Sequence, residues 1–279
     1  MHQNKNEVES IADSLKPKNF EDITGDTILK CLSAVKYQSI KREHVLSLRK
    51  LERFEMDKLV FGIKEALLKT IDVLTTEFKL YCWDFLPYEA IVIMICYIYY
   101  YKKNLTTEDI TRLKKWFWTS SFSSRYRGAS ESFVSNDLKC IGDYILNGTD
   151  VPGLFNSIPT VSEIKSMLFR SNNSRTRAYI LLLASLSPRN ITNGAMIDIH
   201  NALSIFNKKQ YHHIYPQAFL KELNVHQNKR NSIYISIERN SRKLSNDNRS
   251  YSSLDNTGIK FDLNTFSYSV PSFSISFGI

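Results

Sequence analysis

The sequence predicts a mainly α protein in which a helical domain, residues 1–187, is followed by a small α+β module, residues 188–255, and a tail, residues 256–279. Three observations lead to that reading. Apolar residues in the first half recur at three- and four-residue spacing, the period that gathers them on one face of a helix. After Pro188 the pattern turns to alternation, most plainly in Ser232–Ile237 (SIYISI), which is the period of a strand. The 279 residues hold only 9 Gly and 7 Pro and are 43% hydrophobic, so the chain can bury a core and is not low-complexity.

Taken in order, the first clear element is a helix whose inward stripe is Leu59, Ile63, Leu67, Ile71 and Leu74. The most apolar run, Ala90–Tyr101, is bounded by Glu89 and by Lys102 and Lys103. It falls short of the roughly 18 to 20 residues that a bilayer requires. It reads as a buried helix whose tyrosine hydroxyls, from Tyr97 to Tyr101, reach the edge of the core. Thr106–Asp109 (TTED) forms a capping box that opens the helix leading to Trp116. Trp116, Phe117 and Trp118 point in different directions on a helix, so core packing accounts for them better than stacking on unpaired bases does. Arg125 and Arg127 suit either a grip on phosphates or a solvated loop. A further helix containing Leu138, Ile141 and Ile145 closes at Asn147-Gly148, where Gly supplies the left-handed conformation past the helix end. Pro152-Gly153 and Pro159 mark a connecting stretch, helices follow around Ile164–Phe169 and Arg175–Leu186, and Pro188 ends the last. Glu238–Ser250 is polar and charged, as in a short exposed helix. The final residues, Ser267–Ile279, alternate as an edge strand or a loosely ordered tail would. There is no internal repeat at a fixed period.

Charge and cysteine usage narrow the functional classes. A net charge of +9 and a pI near 9.2 suit a phosphate-bearing partner such as DNA, and suit a merely soluble basic protein about equally. Cys31, Cys82, Cys96 and Cys140 stand singly, which argues against a zinc knuckle or a disulfide framework and for buried thiols in a reducing, cytoplasmic setting. The N-terminus lacks the apolar core of a signal peptide, and no membrane partner is expected.

The chemistry is concentrated in Lys208–Asn248, which holds the pair His212-His213, then Pro216, then Asn231 before the alternating segment, then Asn240. Hydrolysis of a phosphodiester needs a base for water, charge neutralisation at the phosphate and leaving oxygen, and a group that holds the base in line. His213 has the pKa range of a general base near neutrality. Asn240 offers a hard amide oxygen to a divalent cation, and Asn231 can fix the loop by bonding a backbone carbonyl near His213. Lys243, Arg239, Arg242 and Arg249 lie on or near the same predicted helix and suit contacts to a nucleic-acid backbone.

These residues resemble the HNH motif of the modification-dependent (type IV, GmrSD-like) restriction endonucleases. That pattern runs as an acidic or His residue, H-I-F/Y-P, a variable loop, N, a strand, and N-x-x-K-S-N. Here it is filled by His212, His213-Ile214-Tyr215-Pro216, Asn231, and Asn240 with Lys243, Ser245 and Asn246. The HNH domains of RNA-guided CRISPR nucleases share the same order of His, Asn and Asn. The resemblance implies a ββα-metal module with His213 as general base, Asn231 as structural Asn, and His212 and Asn240 as ligands of one divalent metal ion. A weaker likeness to the same family's helical segment covers Lys114–Ile141, with its W-F-W, S-x-R-Y and following Asp.

Two departures qualify what the resemblance implies. Position 212 is His where many such enzymes place Asp, a softer ligand that favours Mn²⁺ or Ni²⁺ over Mg²⁺. The family's ParB-like N-terminal domain, with its D-G-Q-Q-R motif, has no counterpart here, so an activity that depends on it calls for a separate ParB-like partner chain. The expected function is cleavage of foreign or modified DNA in antiviral defence, leaving a 5′-phosphate. The alternatives are a DNA-binding subunit of a split restriction system and an HNH ribonuclease or toxin effector. The motif recognises phosphate geometry, so it does not separate DNA from RNA, and oligomeric state is open.

Overall fold

The computed structural model describes residues 2–155, 159–160, 163, 170, 172–189 and 195–204, all within the compact unit Met1–Arg239, with only the backbone described for residues 2–7. The protein is mainly helical. The helices are α1 (His2–Leu15), α2 (Gly25–Tyr37), α3 (Arg42–Ser47), α4 (Arg53–Phe78), α5 (Glu89–Tyr101), α6 (Thr107–Phe122), α7 (Glu131–Leu146), α8 (Ser174–Ser185) and α9 (Ile199–Leu203). No strand occurs among the described residues, and Arg189 and Met196 form an isolated antiparallel bridge after Pro188. The expected helix at 164–169, strand at 232–237, helix at 238–250 and tail lie outside the described residues, as does the α+β module beyond residue 204.

The core is built around α5. Every residue from Ala90 to Tyr99 is buried, as expected of a helix that is apolar on all sides, and α2, α4 and α7 pack around it. No helix among the described residues is long and apolar enough to cross a membrane. The tyrosines divide as their positions require. Tyr97 and Tyr99 are buried, while Tyr101 is half-exposed and donates its hydroxyl to the Val35 carbonyl at 2.9 Å. Burial, followed by the charges of Asp72 and Glu77, pushes the Tyr99 phenol up to about 12.

Helix α4 extends the predicted stripe in both directions, burying Met56 and Phe78 along with Leu59, Ile63, Leu67, Ile71 and Leu74. Its contact with α5 depends on Gly62: a Cβ there would sit 2.4 Å from the Tyr100 ring, so the missing side chain is what lets that ring lie against the helix. At α6 the capping box forms as predicted. The Thr106 N–H donates to Asp109 Oδ2 at 2.7 Å and the Asp109 N–H to Thr106 Oγ1 at 3.2 Å. Trp116 and Phe117 are fully buried, with Phe117 stacked on Phe78 at 3.9 Å and Trp118 edge-on to Phe117, which bears out core packing for the aromatic triplet. Helix α7 ends at Leu146, and Gly148 takes φ +69 as the Asn-Gly pair requires. Helix α8 covers the segment predicted from Arg175 and packs on α6 and α4. The cysteines are free thiols, three buried and Cys140 partly so.

Candidate functional site

The predicted catalytic and binding residues, His212, His213, Asn231, Asn240, Arg239, Arg242, Lys243 and Arg249, all lie outside the described residues. Their donor set is still informative. Were His212 and Asn240 to hold a divalent ion, one imidazole and one amide oxygen would leave it free to keep water and to take a phosphate oxygen, as a hydrolytic metal must. Among the described residues no group of three or more His, Cys, Asp or Glu side chains comes together.

The structure does describe the segment that carries the weaker, upstream likeness, and there the arginine reading needs correcting. Arg125 neither faces solvent nor is available to a phosphate, because its side chain is only 4% exposed. It meets Asp137 of α7 through a two-point contact, Nε to Oδ2 at 2.6 Å and Nη2 to Oδ1 at 2.8 Å. Tyr126 donates its hydroxyl to the same carboxylate at 3.0 Å and lies 3.2 Å from the Met94 sulfur of α5. Arg125 Nη2 also donates to the Gly153 carbonyl at 3.0 Å, and its guanidinium sits 5.1 Å from the centre of the Phe133 ring. Arg127, two residues on, is exposed.

The physical cause is a charge placed on an apolar face. Val134, Leu138 and Ile141 form the buried stripe of α7, and Asp137 stands inside it, so its carboxylate is stable there only if matched by donors. Arg125 and Tyr126 supply them. Burial lowers the affinity of the guanidinium for its proton, but the bonds to and charge of Asp137 outweigh this and hold its pKa above the ordinary value. The Tyr126 phenol is pushed well up, first by burial and then by the Asp137 charge. The cluster therefore joins the α6–α7 turn, α7, the core helix α5 and the connecting stretch at Gly153 into one fixed junction. Sequence reasoning noted Asp137 without giving it a role. The available signal was its position between the apolar residues of α7.

Positive charge is unevenly distributed along the chain. Residues 1–150 hold 22 Lys and Arg against 21 Asp and Glu, whereas residues 151–279 hold 15 against 7. The basic excess thus lies in the part that carries the His-Asn-Asn series, and the helical body before it is close to neutral.

Comparison with known proteins gives one relative. The chain is 26% identical over 122 residues to the uncharacterized protein MJ0686 of Methanocaldococcus jannaschii, a match covering 40% of this chain and 19% of that protein. The chain thus spans about a fifth of the length of the curated relative it matches. No family model matches, and no solved structure matches.

Proposed function

We propose that this chain is a metal-dependent endonuclease of HNH type, hydrolysing phosphodiester bonds of DNA in the restriction of foreign or modified DNA. The observation that supports this most is the ordered series His212-His213, Pro216, Asn231 and Asn240, with Asn240 followed by Lys243, Ser245 and Asn246. The concentration of positive charge in the same part of the chain adds to it, because phosphate contacts release counterions and supply affinity without reading sequence.

In this reading His213 accepts a proton from the attacking water, and Asn231 holds the loop that aims the imidazole. His212 and Asn240 would hold the cation, which would supply charge neutralisation at the scissile phosphate and the leaving 3′-oxygen. Lys243, Arg239, Arg242 and Arg249 position the backbone. The product carries a 5′-phosphate.

The test is incubation of the purified chain with plasmid DNA, modified phage DNA and RNA in the presence of Mg²⁺, Mn²⁺ or Ni²⁺. Metal-dependent cutting that disappears in His213→Ala, by at least about 10²-fold for loss of a general base, supports the enzyme. Binding of DNA without cutting, with cutting restored only on addition of a ParB-like partner, replaces it with the DNA-binding-subunit reading. Cutting confined to RNA replaces it with the ribonuclease.

A further inference from the structure

The long helix α4 carries an outward stripe that the core does not use. Phe54, Lys58, Phe61, Glu65, Leu68 and Asp72 follow one another at alternating spacings of four and three residues, which sets them along one line of the helix, opposite the buried stripe. Phe54 is 82% exposed and Phe61 is 65% exposed, two of the largest exposed apolar surfaces among the described residues. They lie two turns apart, about 10.5 Å along the axis. Leu68 is half-buried, and Lys58 is exposed with no ion-pair partner among the described residues. Glu65 bonds Lys103 at 2.8 Å yet remains partly exposed, and Asp72 is held by Lys18. Two exposed phenyl rings in line on a helix form an interaction surface, since water disfavours both.

The order of charges identifies the occupant. Lys58 stands three residues before Phe61 and Glu65 four residues after it. A second α4 laid antiparallel about a two-fold axis at Phe61 therefore sets Lys58 of each copy against Glu65 of the other, Phe61 against Phe61, and Phe54 against Leu68. A parallel copy would instead oppose Lys58 to Lys58 and Glu65 to Glu65, which repulsion between like charges disfavours. The stripe is thus complementary to itself in one direction only, which is the property of an isologous interface. We infer that the chain forms a two-fold dimer through the outer face of α4, with Phe54 and Phe61 buried at its centre and the Lys58–Glu65 pairs fixing the register. This inference is independent of the nuclease reading.

Sedimentation of the full chain over a micromolar concentration series tests it. The expected result is a reversible dimer that becomes monomeric when Phe54→Ser and Phe61→Ser are combined, with the helical circular dichroism unchanged. Lys58→Glu alone, which sets Glu against Glu, is expected to raise the dimer Kd about tenfold or more, and Lys58→Glu combined with Glu65→Lys, which reverses both charges, is expected to restore it. A wild-type chain that stays monomeric throughout the series overturns the inference. So does a dimer that the paired Ser substitutions leave intact, or a double charge reversal that fails to recover what the single one lost.

Discussion

Arg125 shows how two arginines two residues apart can have unrelated tasks. Arg127 is exposed, whereas Arg125 is committed to Asp137 with both of its aligned nitrogens, beneath the Tyr126 hydroxyl. Sequence spacing cannot say which of the pair turns inward, because the turn between α6 and α7 has no period to read. The cue lay elsewhere, in the single carboxylate on the apolar face of α7. Removing one partner of a buried pair leaves the other uncompensated, so Arg125→Ala is expected to cost about 3–5 kcal/mol in urea unfolding followed by circular dichroism. Arg125→Lys keeps the charge but lacks the planar fork and is expected to recover only part of that loss. The residues of the proposed chemistry were singled out for a different reason. Imidazole and amide side chains in the order His212-His213, Asn231 and Asn240 form a local series that sequence can show, whereas their convergence on one cation depends on residues outside the described ones.

At the scale of elements, what was legible followed from repetition and from end chemistry. The stripe Leu59–Leu74, the all-apolar run of α5 and the Asn147-Gly148 stop each reported a helix, and each helix is present. What sequence could not give is how α4 and α5 meet, since that depends on Gly62 leaving space for a Tyr100 ring from another helix. The start of α6 lends itself to a direct measurement. Burial pushes the Asp109 carboxyl up, but the Lys102 ammonium and the bonds from Thr106 outweigh it and hold its pKa below the ordinary value of 3.8. A carboxyl whose pKa is lowered by folding contributes stability above its unfolded value and loses it as pH falls through the folded value. Asp109→Ala is therefore expected to lower stability near neutrality by about 1–2 kcal/mol. It should also flatten the decline in melting temperature below pH 3.8, measured as Tm against pH beside the parent chain.

Across the whole molecule, a tyrosine-rich core makes a prediction about alkali. Burial raises the phenols of Tyr97, Tyr99, Tyr101, Tyr126, Tyr144 and Tyr179 together, with Tyr99 at about 12. An acid whose pKa is raised by folding stays protonated in the native chain while its unfolded counterpart ionises. Stability should thus hold up to pH 10, the ordinary value for a free phenol, and fall steadily from there towards 12. A spectrophotometric titration of phenolate absorbance is expected to show a late step from these buried phenols, above pH 10 and coincident with loss of helix.

The molecule also separates its charge, with a near-neutral helical body and a basic remainder that carries the His-Asn-Asn series. Mapping the ends of the products formed from a labelled duplex with Mn²⁺, for the wild-type chain and for His213→Ala, tests the proposed hydrolysis most directly. New 5′-phosphate and 3′-hydroxyl ends with the wild type, and none above background with His213→Ala, are the result this account predicts. Intact substrate with every metal and added partner, 3′-phosphate ends, or unchanged cutting by His213→Ala would contradict it.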